Sequence, residues 1–68
     1  MTATAIATAH AIIDAVVRQA ELDKGALSVA YAKGRRDATY SMLLSLIGID
    51  AANAVFATRT ADFRRAGL

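Results

Sequence analysis

Apolar and polar residues alternate along the first half of the chain with a period close to that of an α-helix. Ile6, Ala9, Ile13 and Val17 fall on one face of a helical wheel, whereas Asp14 falls on the opposite face. This arrangement is typical of an amphipathic helix that buries one side. The sequence contains neither an alternating strand pattern nor an Asn-Gly or Asp-Gly hairpin signal. An all-α fold is therefore predicted.

The apolar face continues beyond Gly25 without a change of phase. Leu27, Tyr31 and Ala38 lie on the same side of the wheel as the first apolar face. Because a turn would normally reset this phase, we predict one helix over about residues 4–47, with Gly25 tolerated inside it. The alternative is a break at Gly25, which gives three shorter helices.

A second boundary is predicted near Gly48. This glycine follows the last periodic residue, and Asp50 has the side chain of a good N-cap. We expect a turn over residues 48–50 and a second helix over about residues 51–66. The chain then forms a single helical domain, residues 1–68, built as a hairpin with one long and one short arm.

The unequal arms predict a homodimer. A helix of 44 residues is about 66 Å long, whereas one of 16 residues is about 24 Å long and leaves the N-terminal half of its partner uncovered. Because an exposed apolar strip is typical of an interface, we predict that two long arms intertwine. The predicted dimer interface consists of Ile6, Ile13, Val16, Val17, Ala20, Leu27, Tyr31 and Ala38. If the helix breaks at Gly25, a monomeric three-helix bundle becomes the alternative.

Composition removes most chemistry from consideration. The chain has 68 residues, no cysteine, no proline and one histidine. Disulfides and the common four-ligand zinc sites are therefore excluded, and the length is below the roughly 70–80 residues at which one core usually suffices. His10 and Asp14, four residues apart, are interpreted as a surface pair, with a metal site shared across a dimer axis as the alternative. We expect neither catalysis nor a cofactor nor a metal.

One charged cluster interrupts the apolar pattern. Lys33, Arg35 and Arg36 follow one another closely, and Tyr40 lies one helical turn beyond them. Arginine and tyrosine are over-represented at the energetic centres of protein interfaces. We predict that these four residues, with Arg59 of the short arm, bind a protein partner. The alternative is a solvated belt that keeps the helix soluble.

The net charge of +2 is small for a nucleic-acid-binding protein. A dimer would carry only twice this charge, so protein rather than nucleic acid is the expected partner, with a small dimeric DNA-associated regulator as the alternative function. The longest apolar run is well below the roughly 20 residues that span a membrane. We therefore expect a cytoplasmic protein without a membrane partner.

The segment from Tyr31 to Ser41, with its Tyr-x-x-Gly-x-x-Asp-Ala pattern, resembles the small helical accessory proteins of temperate bacteriophages. Within that group it is most similar to the anti-quorum-sensing proteins, which are dimers of helical hairpins. The resemblance implies a non-enzymatic inhibitor that takes part in host takeover. Its implied partners are the DNA-binding domain of a LuxR-type quorum-sensing activator and the type IV pilus assembly ATPase.

Overall fold

The computed structural model describes residues 2–23 and 28–68, which form four helices in the order α1 (Ala3–Leu22), α2 (Val29–Ile47), α3 (Ile49–Thr58) and α4 (Thr60–Arg65). No strand occurs in these two stretches. The all-α prediction is confirmed.

Two N-caps begin the long helices. The hydroxyl of Thr2 accepts a hydrogen bond from the backbone N–H of Ala5 at 3.1 Å, and that of Ser28 accepts one from the N–H of Tyr31, also at 3.1 Å. Each cap satisfies one of the donors that a helix N-terminus leaves free. The expected single helix over residues 4–47 is wrong, because one helix ends at Leu22 and another begins after Ser28. Gly25 itself lies outside the described residues.

The two long helices pack against each other as antiparallel neighbours. Ala9 and Ile13 near the start of α1 share one core cluster with Leu43 and Ile47 at the end of α2. The lengths of these helices are 20 and 19 residues, so α2 can cover most of α1. The prediction of one long and one short arm is therefore wrong. Because α2 of the same chain packs against the apolar face of α1, a second chain is not needed to cover that face.

The short C-terminal arm completes the core. Ala52 and Val55 from α3 and Phe63 from α4 lie in the same cluster, and Phe63 is only 1% exposed. Between these helices Arg59 adopts φ −108° and ψ 9°, so the predicted helix over residues 51–66 is interrupted at this residue. Helix α4 begins at Thr60, directly after this residue, and brings Phe63 into the core.

Gly48 and Gly67 have the positive φ angles that favour glycine, at 82° and 80°. Gly48 is both the C-cap of α2 and the N-cap of α3, so Asp50 is a first-turn residue of α3 rather than its N-cap. Gly67 ends α4 in a Schellman motif, in which the N–H of Leu68 donates to the carbonyl of Phe63 at 2.8 Å. This turn folds Leu68 back against the core.

Candidate protein-binding groove

An open groove of about 530 Å³ runs along α2 and ends at the C-terminal turn. Its lining combines apolar and charged residues: Val29, Ala32, Lys33, Arg36, Asp37, Tyr40, Phe56, Gly67 and Leu68. The groove thus brings together three of the five residues that the sequence predicted to bind a partner, namely Lys33, Arg36 and Tyr40.

Tyr40 is held on the wall of the groove by two contacts with α3. Its ring meets the ring of Phe56 edge-on, with centroids 5.1 Å apart. Its hydroxyl donates a hydrogen bond to Oδ1 of Asn53 at 2.5 Å. The polar end of Tyr40 is therefore already bonded, and its ring is the part that forms the wall.

Arg36 is held against the C-terminal arm. Its guanidinium carbon lies 5.4 Å from the ring centroid of Phe63, within the range of a cation–π contact. One guanidinium nitrogen also donates to the backbone carbonyl of Leu68 at 3.4 Å. These contacts restrict the rotamers of Arg36, so a ligand would lose less side-chain entropy on binding to it.

The remaining charges in the groove are Lys33 and Asp37, both exposed. Counted over side chains alone, these two and Arg36 give this surface one net positive charge. A ligand with both an apolar side chain and a carboxylate matches such a lining, because the apolar walls and the cations lie along one groove.

Arg35 belongs to a different contact. Its guanidinium donates to the hydroxyl of Tyr31 at 2.6 Å and lies 3.8 Å from the carboxylate of Asp23. It does not line the groove, because it points from the start of α2 toward the end of α1. Arg35 therefore lies apart from the groove that Arg36 lines, and its part in partner binding stays a prediction.

Arg59 is also outside the groove. Its side chain is 15% exposed and donates to the carboxylates of Asp14 on α1 and Asp62 on α4, the latter at 2.7 Å. The Nδ1 atom of His10 lies 3.0 Å from the same guanidinium and must accept, because a guanidinium only donates. The predicted His10–Asp14 pair is thus part of a network around Arg59. Arg59 joins three helices and is not available to a partner.

Two pKa values shift in this network. The hydrogen bond with Asp14 raises the pKa of Arg59 above its usual value, although burial opposes the shift. The hydrogen bond from Arg59 lowers the pKa of Asp62, against desolvation, and charge attraction from Arg59 and Arg65 adds to the lowering. Both shifts favour the ionised forms, as expected for a hydrogen-bonded ion pair.

The predicted dimer interface is divided by the fold. Ile13 and Ala20 are 0% exposed within the single chain, so they cannot contact a second copy. Ile6 and Val17 pack at the edge of the core, and Val16 is half-buried. Tyr31 and Ala38 are exposed. Leu27 lies outside the described residues.

Sequence reasoning did not assign the other six groove residues to a binding site, and the large apolar ones among them are Val29, Phe56 and Leu68. Phe56 was recognisable as part of the apolar face of the second helix, but its place beside α2 depends on the turn at Gly48. Leu68 had a local signal, because a glycine followed by an apolar residue at a helix end is typical of a Schellman motif.

No protein-family model matches the sequence, and neither a curated protein nor a solved structure shows significant similarity to it. In the part of the chain that the structure describes, no helix is both long and apolar enough to cross a membrane. Residues 2–23 and 28–68 also contain no group of three or more histidine or acidic side chains that could hold a metal ion.

Proposed function

We propose that this chain is a non-enzymatic interaction module that binds a protein partner in the groove beside α2. The observation on which the proposal depends is the joint lining of that groove by Lys33, Arg36, Tyr40, Phe56 and Leu68. Two cations stand next to two aromatic rings and an aliphatic side chain. Aromatic and arginine anchors in a pocket are the features that dominate binding energy in protein interfaces.

The partner segment should present an apolar side chain with an acidic residue close to it. The apolar side chain would fill the space between Val29, Phe56 and Leu68, and the carboxylate would pair with Lys33 or Arg36. Arg36 and Tyr40 are already fixed by their contacts with Phe63, Phe56 and Asn53, so the surface is largely preorganised.

The resemblance to phage accessory proteins supplies two specific candidates, proposed to be met in the cytoplasm of a bacterial host. One is the DNA-binding domain of a LuxR-type quorum-sensing activator, and the other is the type IV pilus assembly ATPase. Blocking the activator would make the chain an anti-quorum-sensing inhibitor. Because the groove is cationic, it would have to contact acidic side chains of that domain rather than the cations that touch DNA.

The test is a calorimetric titration of each purified candidate with the wild-type chain and with Lys33→Glu. Reversing the charge of an exposed rim residue should weaken binding about tenfold or more, because a carboxylate would then face a carboxylate. Arg64→Glu is the matched control, since Arg64 is exposed on α4 and does not line the groove. Equal affinities of the wild type and Lys33→Glu would contradict the groove assignment.

The alternative function, a small DNA-associated regulator, predicts a different result. Binding to random duplex DNA through several phosphate contacts would fall steeply as salt is raised. We expect little DNA binding at any salt concentration. A homodimer also remains a proposal, but a surface other than the buried face of α1 has to form it.

A further inference from the structure

An apolar face of α2 is exposed on the side away from the core. Tyr31, Met42 and Leu46 are 50%, 53% and 41% exposed, and Ala38 between them is exposed as well. Their spacing of seven, four and four residues places them on one helical stripe. We call this surface, with Gly34, the outer α2 face.

Gly34 is the feature of this face that packing within the chain does not explain. A Cβ atom added at Gly34 would meet no described atom within 4 Å. Glycine inside a helix is about 1 kcal/mol less favourable than alanine. Among the described residues, the fold of one chain therefore gains nothing from the missing side chain, whereas a large side chain of another molecule could pack into the space that it leaves.

The charge of the outer α2 face limits what can cover it. Arg35 is the charged residue on this face, four residues after Tyr31 and seven before Met42, and its guanidinium is already paired with Asp23 and hydrogen-bonded to Tyr31. The face is close to electrically neutral. It has no free cation to attract a nucleic acid or an acidic peptide, and two identical copies would not repel each other.

The exposed area is sufficient for a small interface. The three large side chains expose roughly 300 Å² of mostly apolar surface, which is the scale of a functional patch on a small protein. Ala38, Ser41 and Ser45 are exposed as well and widen this patch. A symmetric pair would form a small interface of the size found in weak, reversible complexes, below the roughly 1,200–2,000 Å² of stable ones.

We propose that two copies of this chain associate through the outer α2 face, with their α2 helices antiparallel about a two-fold axis at Ala38. In that register residue 42 of one copy lies opposite residue 34 of the other, so Met42 fills the space over Gly34. Tyr31 likewise lies opposite Ser45. Large side chains meet small ones at each contact, which is the self-complementarity that a symmetric interface needs.

This dimer leaves both binding grooves open. The groove residues Lys33, Arg36 and Tyr40 lie on a different side of α2 from Tyr31, Ala38 and Met42, because a rotation of about 100° per residue places the two sets on roughly opposite sides of the helix. Each copy could therefore bind a partner while paired. The proposal is independent of the groove function and can fail without it.

The first experiment measures the solution mass of the full chain by sedimentation equilibrium across a range of concentrations. We expect a reversible transition from 7.1 kDa to twice that mass. Met42→Glu should raise the dimer dissociation constant about tenfold or more, because two carboxylates would enter an apolar interface. Ala57→Glu, on the exposed surface of α3, is the control and should leave dimerisation unchanged.

The second experiment uses the absence of cysteine from the sequence. Ala38→Cys should form a disulfide-linked dimer rapidly under mild oxidation, because residues on a two-fold axis come within the Cα distance that a disulfide requires. Ala57→Cys should cross-link only at the slow rate of random collision. This variant keeps the proposal testable even if Met42→Glu reduces helicity.

A mass of 7.1 kDa at all concentrations up to about 1 mM would overturn the proposal. So would an unchanged dissociation constant for Met42→Glu, or equal cross-linking rates for the two cysteine variants. Lys33→Glu should dimerise like the wild type. Partner binding by Lys33→Glu therefore tests the groove function, and the solution mass of Met42→Glu tests the dimer. Either proposal can fail without the other.

Discussion

Arg59 shows how much of this fold depends on one side chain. Its guanidinium reaches His10 and Asp14 on α1 while it also bonds Asp62 on α4. The planar fork of arginine suits this role, because it can donate to several acceptors in fixed directions at once. His10 and Asp14 lie 49 and 45 residues before Arg59 in the sequence, whereas Asp62 lies three residues after it. Sequence spacing reveals only the nearer of these.

Replacing Arg59 with alanine should lower the free energy of unfolding by about 2 kcal/mol, because several mostly buried hydrogen bonds are lost. Arg59→Lys should recover only part of this loss, since an ammonium group cannot bridge the same set of acceptors. Urea denaturation followed by helical circular dichroism measures both values. Arg64→Ala, an exposed change in α4, should stay within about 0.5 kcal/mol of the wild type. A similar small effect for Arg59→Ala would contradict the bridging role.

Tyr40 is also a structural residue, and this changes how the groove should be probed. Tyr40→Phe keeps the ring contact with Phe56 and removes only the bond to Asn53, so we expect a loss of about 1 kcal/mol or less. Tyr40→Ala should cost more because the aromatic contact is lost as well. Thermal or urea unfolding distinguishes the two. Equal losses would mean that the ring contributes nothing to stability.

At the scale of elements, Gly48 determines how α3 returns along α2. Its φ of 82° with ψ of 169° lies in a region that only glycine adopts readily. Gly48→Ala should therefore destabilise the protein by about 1–3 kcal/mol, although an added Cβ would meet no described atom within 4 Å. Gly34→Ala is the matched control, measured at low protein concentration. It should be neutral or stabilising because Gly34 lies in an ordinary helix. Similar effects of the two variants would contradict the backbone argument.

The helical face of α1 could be predicted from sequence because its apolar residues form only one stripe. Ala9, Ile13 and Ala20 were placed on that face and are buried. On α2 the sequence offers two stripes, one with Tyr31 and Met42 and one with Leu43 and Ile47. The second is buried, and the first is exposed. Periodicity alone does not show which of two apolar faces is buried. The exposed stripe of α2 continues the phase of the buried face of α1, and this continuity led to the wrong prediction of one helix across Gly25.

The candidate site was predictable only in part for a related reason. Lys33, Arg36 and Tyr40 lie within eight residues on one helix, and helical spacing is enough to place them on one side. Phe56 and Leu68 reach the same groove through turns at Gly48 and Gly67, whose direction depends on tertiary packing. Short-range pattern therefore identified the charged part of the groove but not the apolar part.

For the whole molecule, the positions of the exposed surfaces, more than the size of the core, determine which contacts with other molecules can form. The groove and the outer α2 face lie on different sides of α2, and Arg59 links α1 to α4 through its ion pairs with Asp14 and Asp62. A chain of 7.1 kDa has few core residues to spare. Its stability should therefore respond as a unit when the Arg59 network is disturbed.

Acid titration tests this coupling. The pKa of Asp62 is lowered in the folded state, chiefly by the hydrogen bond from Arg59, so the folded chain releases this proton more readily than the unfolded chain. The resulting stabilisation is complete above the ordinary aspartate pKa of 3.8 and disappears as the pH falls through the lower folded value. Because Arg59 stays protonated throughout this range, it adds no opposing dependence.

We therefore expect Asp62→Asn to be less stable than the wild type at pH 7 and the two to converge as the pH falls well below 3.8. Urea unfolding at a series of pH values, followed by helical circular dichroism, measures the difference directly. Asp37→Asn is the control, because Asp37 is exposed beside the groove and apart from the network. A difference between the wild type and Asp62→Asn that stays constant across this pH range would show that Asp62 contributes through its shape and not through its charge. The ion-pair network would then not be what connects α4 to α1.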